Sequence, residues 1–300
     1  MRDDIRENNM SVASIYRSAQ GQAEVIALYE KKLASLAVET HSHMVDTRFG
    51  HTHVLAAGPP NAPPVMVLTG ISTGAPRILE WFLPLTRDYR LYAPDPIGQP
   101  GRSAQIRVPP GDHNYGKWIV DVLNGLGLKQ LPFIGVSFGG GILLDTASYA
   151  PERISRAALM APAGLTPVPF LHTAIKFFIP CLLYRYFPSR KRLIGTVRPL
   201  TGNTDDYSLQ VFDATLRHLK LNVAPPGPFD KMTLARFKAP TLLLLAKSDI
   251  FIPVEPARRR AKELLPSLTA VEVFEGPHIP PKSTWRYNAE RIRMFLKETP

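Results

Sequence analysis

The chain has 300 residues, of which 45% are hydrophobic, and a formal net charge of +11 at pH 7. This length and composition are ordinary for a globular protein with a sizeable core. No uninterrupted apolar stretch reaches the roughly 18 residues that a membrane-spanning helix needs, and the only cysteine, Cys181, cannot form an intramolecular disulfide.

The N-terminal residues MRDDIRENNMSVASIYRSAQGQ alternate charged and polar side chains where a secretory signal would need an apolar run. Together with the lone cysteine, this pattern predicts a cytoplasmic protein. Between residues 14 and 38, apolar side chains recur at helical spacing, at Ile26, Tyr29, Leu33 and Leu36. This spacing predicts an amphipathic helix within an N-terminal helical extension over residues 1–42.

The stretch HSHMVDTRFGHTHVLAAG consists of two extended runs around a glycine-containing turn, which predicts a β-hairpin. It carries two H-x-H pairs, His41 with His43 and His51 with His53. Because side chains alternate along a strand, each pair shares one strand face, and four imidazoles meeting across the hairpin could bind zinc or nickel. No neighbouring cysteine completes a metal pattern, so we interpret this as a solvated hairpin face and expect no metal.

Short apolar runs then recur along the chain, most of them separated by stretches long enough for a helix. Runs that are apolar on both faces and alternate with helices indicate an α/β fold, a parallel sheet covered by helices on each side. The predicted strands are PPVMVLTG, YRLYAPDP, LPFIGV, RAALMAPAG, APTLLLLAKSD and AVEVFEGPH.

This rhythm fails between residues 163 and 232, where proline, aromatic and basic residues crowd together. We predict that residues 163–232 form a mostly helical cap inserted over the sheet, and that residues 43–162 and 233–300 form the core. Pockets for lipophilic ligands are mostly apolar, so the cap aromatics Phe177, Phe178 and Phe212 are candidates for the substrate pocket.

Part of this region, IKFFIPCLLYRYFPSRKRLIGTVR, has six basic residues and no acidic one. Such a stretch can meet a membrane surface, an anionic ligand or nucleic acid, or it can be a solvated helical face. We expect at most weak contact with an anionic membrane surface and no nucleic-acid binding. A second basic run, PARRRAKELLP, is better interpreted as the exposed face of a helix.

The stretch FIGVSFGGG contains the pattern G-x-S-x-G, in which Ser137 follows a β-rich run and precedes a predicted helix. The pattern is typical of a strained turn between strand and helix that presents a serine hydroxyl above the sheet. The amino end of the helix points backbone N–H groups towards that oxygen. Ser137 is therefore a candidate nucleophile.

A serine nucleophile needs a base, and the base needs an acid that orients it. Asp249 follows the apolar run TLLLLA, and His278 follows AVEVF in a Gly-Pro loop. Each lies just beyond the carboxyl end of a predicted strand, where sites in such sheets occur. Ser137, Asp249 and His278 are therefore predicted to form a catalytic triad.

The negative charge that develops on an attacked carbonyl oxygen requires two N–H donors. The backbone of Phe138, directly after the nucleophile, supplies one candidate. The other is the backbone of Ile71, which follows Gly70 in the loop after PPVMVLTG.

At these residues the sequence resembles the α/β-hydrolase family, in particular its cap-bearing carboxylesterase-like branch, over roughly residues 45–296. The resemblance rests on five motifs, namely VMVLTG, YAPDPIGQPGRS, GVSFGG, KSDIFIP and GPH. The family usually has His-Gly where this chain has Thr69-Gly70. Relatives with an aspartate nucleophile, the dehalogenases and epoxide hydrolases, are disfavoured by Ser137.

The resemblance implies an eight-stranded, mostly parallel sheet with helices on both faces, a helical cap between strands six and seven, no cofactor, and a structural role for Asp95 near the site. We predict a serine hydrolase that cleaves small to medium lipophilic carboxylic esters through an acyl-enzyme. C–C bond, lactone or thioester hydrolysis and acyl transfer use the same triad and stay open. A ligand-binding homologue without catalysis is the alternative from another class.

Overall fold

The computed structural model describes residues 14–202, 204–220 and 224–298. Residues 1–13 of the predicted N-terminal extension, and residues 203 and 221–223 of the predicted cap, lie outside the described residues. Within the described part of the chain, no helix is both long and apolar enough to cross a membrane.

In the described residues, eight strands form one sheet in the order β1-β2-β4-β3-β5-β6-β7-β8. The strands are β1 (Thr40–Thr47), β2 (Gly50–Ala57), β3 (Pro64–Leu68), β4 (Arg90–Pro94), β5 (Leu131–Val136), β6 (Ile154–Met160), β7 (Thr241–Ala246) and β8 (Leu268–Phe274). The pairs β1–β2 and β2–β4 are antiparallel, and all other neighbours are parallel. The predicted mostly parallel sheet of eight strands is confirmed.

Helices cover both faces of this sheet and fill the segment between β6 and β7. They are α1 (Ala19–Ala34), α2 (Ala75–Phe82), α3 (Asn114–Gly125), α4 (Phe138–Tyr149), α5 (Phe170–Thr173), α6 (Ile179–Tyr186), α7 (Arg190–Thr201), α8 (Asp206–His218), α9 (Val254–Leu264) and α10 (Lys282–Lys297). A π-helical turn, Ala174–Phe178, joins α5 to α6.

The strands are apolar on both faces because each face packs against helices. In β7, Leu243 and Leu245 belong to the core beneath α3, α4 and α9, whereas Leu242 and Leu244 belong to the core beneath α2 and α10. This double burial explains why the sequence shows continuous apolar runs rather than alternation. Because β3 to β8 run parallel to one another, their carboxyl ends lie at the same edge of the sheet.

The hairpin β1–β2 forms where the sequence predicted it, but its register rules out a meeting of the four histidines. Each odd-numbered residue of β1 pairs with an even-numbered residue of β2, so His43 lies opposite Val54 and His53 lies opposite Met44. Directly paired residues share a face. His41 and His43 therefore lie on the opposite face from His51 and His53, and the described residues contain no cluster able to hold a metal ion.

Helix α1 packs between the core and α8. The backbone of Tyr16 forms a bridge with Leu219, and Ile15, Val25 and Ala214 join both residues in a small buried cluster. Strand β1 already begins at Thr40, so the hairpin includes the last residues of the predicted extension 1–42. The N-terminal segment thus connects the core to the helices between β6 and β7.

The chain enters and leaves the segment that holds α5 to α8 at one narrow point. Gly164 and Gly227 both have positive φ, of 86° and 104°, and a Cβ atom added to Gly227 would lie 3.1 Å from Cα of Gly164. The two backbones can approach this closely because neither residue has a side chain. The predicted cap, 163–232, has boundaries near this neck.

Candidate active site

Ser137 occupies a strained turn between β5 and α4. Its φ of 51° and ψ of −113° lie in a region that residues with a side chain seldom adopt. The backbone N–H of Ser137 donates to the carbonyl of Met160 at 2.9 Å, and its carbonyl accepts from Ala163 at 2.9 Å. These bonds to the end of β6 and the loop beyond it hold the turn in place.

The two flanking glycines of G-x-S-x-G are required by close backbone approach. A Cβ atom on Gly135 would lie 2.8 Å from the carbonyl oxygen of Gly139, and one on Gly139 would lie 2.2 Å from that of Leu68. Any larger residue would therefore push α4 away from β3 and β5. The motif brings helix and strands together behind the serine.

Asp249 and His278 meet Ser137 at the carboxyl edge of the sheet. Nδ1 of His278 lies 2.7 Å from Oδ2 of Asp249, and Nε2 of His278 lies 2.8 Å from Oγ of Ser137. A carboxylate only accepts hydrogen bonds, so Nδ1 carries a proton and its N–H donates a hydrogen bond to Asp249. Nε2 of the neutral ring is then the acceptor for the Ser137 hydroxyl.

The carboxylate of Asp249 is fully buried and held from both sides. Its Oδ1 accepts hydrogen bonds from the backbone N–H groups of Phe251 at 2.8 Å and Ile252 at 3.0 Å. The other oxygen, Oδ2, accepts the hydrogen bond from Nδ1 of His278. Helix α9 begins only at Val254, after Pro253, so Asp249 is not its N-cap.

The loop that carries His278 is tied to two neighbouring elements. The carbonyl of Gly276 accepts from the N–H of Ser248, next to Asp249, at 2.9 Å. The N–H of Ile279 donates to the carbonyl of Leu200 in α7, also at 2.9 Å. These bonds fix the histidine between the core and the helices above it.

The predicted oxyanion donors lie on both sides of Ser137. Phe138 is the first residue of α4, where backbone N–H groups have no partner within the helix. On the other side, a Cβ atom added to Gly70 would lie 3.8 Å from Cβ of Ser137, so the loop that carries Ile71 borders the serine directly. The assignment of both donors stays a prediction.

The same loop is held by two side chains, of which sequence reasoning singled out Asp95 and missed Gln99. The side chain of Gln99 accepts from the N–H of Ser72 at 3.1 Å, and Oδ1 of Asp95 accepts from the N–H of Ala75 at 2.8 Å. Both side chains belong to the motif YAPDPIGQPGRS, which was the available signal. Asp95 is thus a structural support for the loop, as expected.

A third support comes from α1. The ring of Tyr29 lies so close to Gly74 that a Cβ atom there would be 2.7 Å from it, and the Tyr29 hydroxyl donates to Oδ2 of Asp95 at 2.9 Å. His53 also contacts Oδ2, with its Nδ1 at 3.0 Å. The helical spacing marked Tyr29 as a core residue, and nothing in the sequence indicated its partner.

Aromatic side chains connect the histidine to the helices above the sheet. The ring of Phe251 packs edge-on against His278 with centroids 5.0 Å apart, and Phe177 packs edge-on against Phe251 at 5.4 Å. Phe178 is 46% exposed, and Phe212 packs against a cluster within α6, α7 and α8. Of the three predicted pocket residues, Phe177 lies nearest to the histidine along these contacts.

The strand order and the strained serine turn between β5 and α4 are those of the α/β-hydrolase fold. A family model described as the alpha/beta hydrolase fold matches residues 63–186. The chain has the α/β-hydrolase fold, and its sequence resembles the carboxylesterase-like members of that family.

Relatives of known name are similar over nearly the whole chain. Uncharacterized carboxylesterase nap from Bacillus subtilis is 28% identical over 290 residues, which cover 90% of this chain and 92% of that protein. Carboxylesterase YbfK from the same organism is 27% identical over 287 residues, covering 89% and 92%. The crystal structure of naproxen esterase from Bacillus subtilis superposes with a TM-score of 0.77 at 23% identity, covering 93% of this chain and 99% of that one.

Proposed function

We propose that this protein is a serine hydrolase that cleaves small to medium lipophilic carboxylic esters through an acyl-enzyme intermediate. The observation that carries the proposal is the continuous hydrogen-bonded series Ser137–His278–Asp249, built on a strained serine. The two carboxylesterases that resemble 90% and 89% of the chain support an ester as the substrate class.

In the first half of the reaction, Oγ of Ser137 attacks the ester carbonyl while Nε2 of His278 takes the hydroxyl proton. Asp249 keeps the ring oriented and stabilises the positive charge that it gains. The backbone N–H groups of Ile71 and Phe138 hold the oxyanion. His278 then returns the proton to the alcohol oxygen, and the C–O bond breaks to leave an acyl group on Ser137.

In the second half, water replaces the alcohol. His278 removes a proton from the water, the resulting hydroxide attacks the acyl carbonyl, and the same N–H donors hold the second oxyanion. The bond to Oγ of Ser137 breaks, and the proton on His278 returns to the serine. The products are a carboxylic acid and an alcohol, and no cofactor enters the balance.

We also propose that the cap, residues 163–232, covers this site and supplies apolar contacts to the acyl group. The contact from Phe177 through Phe251 to His278 supports this arrangement. Phe178 and Phe212 remain candidates for the same pocket. The single cysteine supports our further proposal that the protein is cytoplasmic.

One local similarity favours a second candidate. A 2-hydroxymuconate semialdehyde hydrolase from Pseudomonas is 36% identical over 111 residues, or 34% of this chain. Hydrolysis of such a semialdehyde, catalysed by Ser137, His278 and Asp249, is therefore the second candidate function.

The test measures turnover of a chain-length series of p-nitrophenyl esters and of 2-hydroxymuconate semialdehyde. A fluorophosphonate should add one covalent group on the peptide that contains Ser137. Ser137→Ala should abolish both labelling and turnover, while Ser148→Ala, at the far end of α4, should change neither. Labelling of another residue, or undiminished turnover by Ser137→Ala, would refute the assignment.

A further inference from the structure

The outer surface of α5 and α6 carries an unusual band of exposed apolar side chains. Leu171, Ile175, Ile179, Leu182 and Tyr186, here called the apolar stripe, are between 49% and 72% exposed. Their spacing follows one face of the continuous helical segment that runs through the π turn. Helices that face water place polar residues at such positions, so the stripe indicates a binding surface.

The charged side chains on the segment that carries the stripe all have one sign, and the nearest acids, Asp206 and Asp213, lie on α8. Between Glu152 and Asp205 the sequence contains no acidic residue. Lys176 and Arg185 lie within the helical segment itself, and Lys191 and Arg192 follow at the start of α7, all four of them exposed. A second copy of the chain would bring the same cations face to face, so the charge disfavours a symmetric dimer through this surface and favours an anionic partner.

We propose that the apolar stripe and its flanking cations dock onto the surface of an anionic lipid bilayer. A helix in a bilayer interface buries its apolar face below the headgroups and keeps Lys and Arg at headgroup level, where long stems let the charges reach outward. Each basic residue near an anionic leaflet adds to the attraction, which salt screens. The segment Phe170–Tyr186 provides the apolar stripe together with Lys176 and Arg185, and the start of α7 adds Lys191 and Arg192.

The inner face of the same segment lies over the candidate site. Phe177 contacts Phe251 next to His278, and the hydroxyl of Thr173 donates to the carbonyl of Ile250 at 3.0 Å. Docking would therefore bring the site to the bilayer surface, where lipophilic esters concentrate. Only this consequence for the substrate rests on the proposed function. The docking itself does not.

The experiment measures binding of the full-length protein by flotation with vesicles of phosphatidylcholine, alone or mixed with phosphatidylglycerol. We expect binding to the mixed vesicles at low salt and weaker binding near physiological salt. Ile179→Gln with Leu182→Gln should weaken binding by at least about tenfold, since each side chain would lose its burial. Lys176→Gln with Arg185→Gln should weaken it by about twentyfold at low salt.

Matched controls lie on α10, where side chains of similar exposure face another part of the surface. Tyr287→Gln with Met294→Gln, and Lys282→Gln with Arg286→Gln, remove the same kinds of group and should leave binding unchanged. Melting temperatures verify that each variant is folded. Ser137→Ala should bind like the wild type, which separates failure of docking from failure of the proposed chemistry.

A second measurement reports insertion directly. Leu182→Trp should show fluorescence quenching by brominated lipids beyond that of the wild type, and Tyr287→Trp should not. Equal binding to neutral and anionic vesicles, or equal losses in the α10 controls, would overturn the proposal. The proposal would also be overturned if the protein bound no vesicles and instead formed a dimer in solution, and if the double variant Ile179→Gln with Leu182→Gln dissociated that dimer.

Discussion

The hydroxyl group of Tyr29 donates a hydrogen bond to Oδ2 of Asp95 at 2.9 Å, and the other oxygen of Asp95 accepts from the N–H of Ala75 at 2.8 Å. The carboxylate therefore joins α1 to the start of α2, directly after the loop that carries Ile71. We therefore expect Tyr29 to act as a positioning residue, which holds the loop of Ile71 through Asp95 without touching substrate.

Tyr29→Phe keeps the ring against Gly74 and removes only the donor. We expect kcat to fall by about tenfold with little change in KM, less than the 10² or more expected for loss of an oxyanion donor itself. The free energy of unfolding should fall by about 1.5 to 3 kcal/mol, as for a hydrogen bond to a charged group. Ester kinetics and denaturant unfolding measure both.

Tyr207→Phe is the matched control, because its hydroxyl donates to the carbonyl of Leu28 at 3.4 Å and does not reach Asp95. Its kcat should stay unchanged. An unchanged kcat in Tyr29→Phe as well would remove the positioning role.

The same tyrosine predicts a dependence of stability on alkaline pH. Burial first, and then the charge of Asp95, raise the pKa of Tyr29 above its usual value of 10.0. The unfolded chain therefore loses this proton at lower pH than the folded protein. The contribution of protonated Tyr29 to the free energy of unfolding is complete below pH 10, and it is lost as the pH rises towards the raised pKa. Tyr29→Phe should show a shallower loss of stability above pH 10, and an identical slope would contradict the assignment.

Asp249→Asn tests the orientation of His278. The amide oxygen can still accept from the backbone of Phe251 and Ile252, but the amide NH₂ then faces Nδ1 as a donor. This arrangement places the ring proton on Nε2, where the ring cannot accept the proton of Ser137. We expect kcat to fall by about 10⁴ with the fold retained.

His278→Ala removes the base and should lower kcat at least as far. Asp121→Asn, which disrupts only a surface ion pair with Arg48, is the control and should keep full activity. If Asp249→Asn retained more than a tenth of the activity, another group would have to orient the histidine.

Thr69→Val tests whether the residue that replaces the usual histidine takes part in the chemistry. The Thr69 hydroxyl is buried and has no hydrogen-bond partner among the described residues. Its removal should raise the free energy of unfolding by about 1 kcal/mol, because an unsatisfied polar group is lost. Since the predicted oxyanion donors are backbone groups of Ile71 and Phe138, kcat should stay within about twofold. A tenfold loss of kcat would show that the hydroxyl contacts substrate.

Cys181 should be a slow-reacting thiol. Burial raises its pKa from 9.0 to about 12, so the thiolate fraction at pH 8 falls by roughly a thousandfold. We expect Ellman's reagent to react far more slowly with the native protein than with the protein in denaturant. Cys181→Ser gives the background, and a native rate within tenfold of the unfolded rate would disprove this.

The sheet could be predicted because double burial leaves a local signature. The run TLLLLA in β7 is apolar after its first residue and is buried throughout, and the neighbouring strands are separated by helix-length stretches. Asp249 and His278 could be singled out for the same reason, since each follows such a run and parallel strands end at one edge. Their meeting with Ser137 also depends on the order of the strands in the sheet, which the sequence analysis left open.

Features set by long-range contact could not be predicted. The hydrogen bond from Tyr29 to Asp95 joins residues 66 positions apart, and helical spacing marks only that Tyr29 faces inward. The faces of the histidine pairs depend on how the turn between Thr47 and Gly50 sets the register, which period-two alternation leaves open. The apolar stripe also follows helical spacing. Spacing alone does not distinguish a helix face that is buried in the fold from one that is exposed on the surface.

The neck between Gly164 and Gly227 makes the intervening helices an exchangeable module. Because the chain leaves and re-enters the core at a single point, another insert of different shape needs only two new junctions and leaves the strand order untouched. Under the proposed role of the cap, such an exchange would change which esters are accepted and would leave Ser137, Asp249 and His278 in place. The constraint lies elsewhere, at Tyr16 and Leu219, where the N-terminal segment pairs with the end of α8. A transplanted module would therefore have to bring a matching N-terminal helix with it.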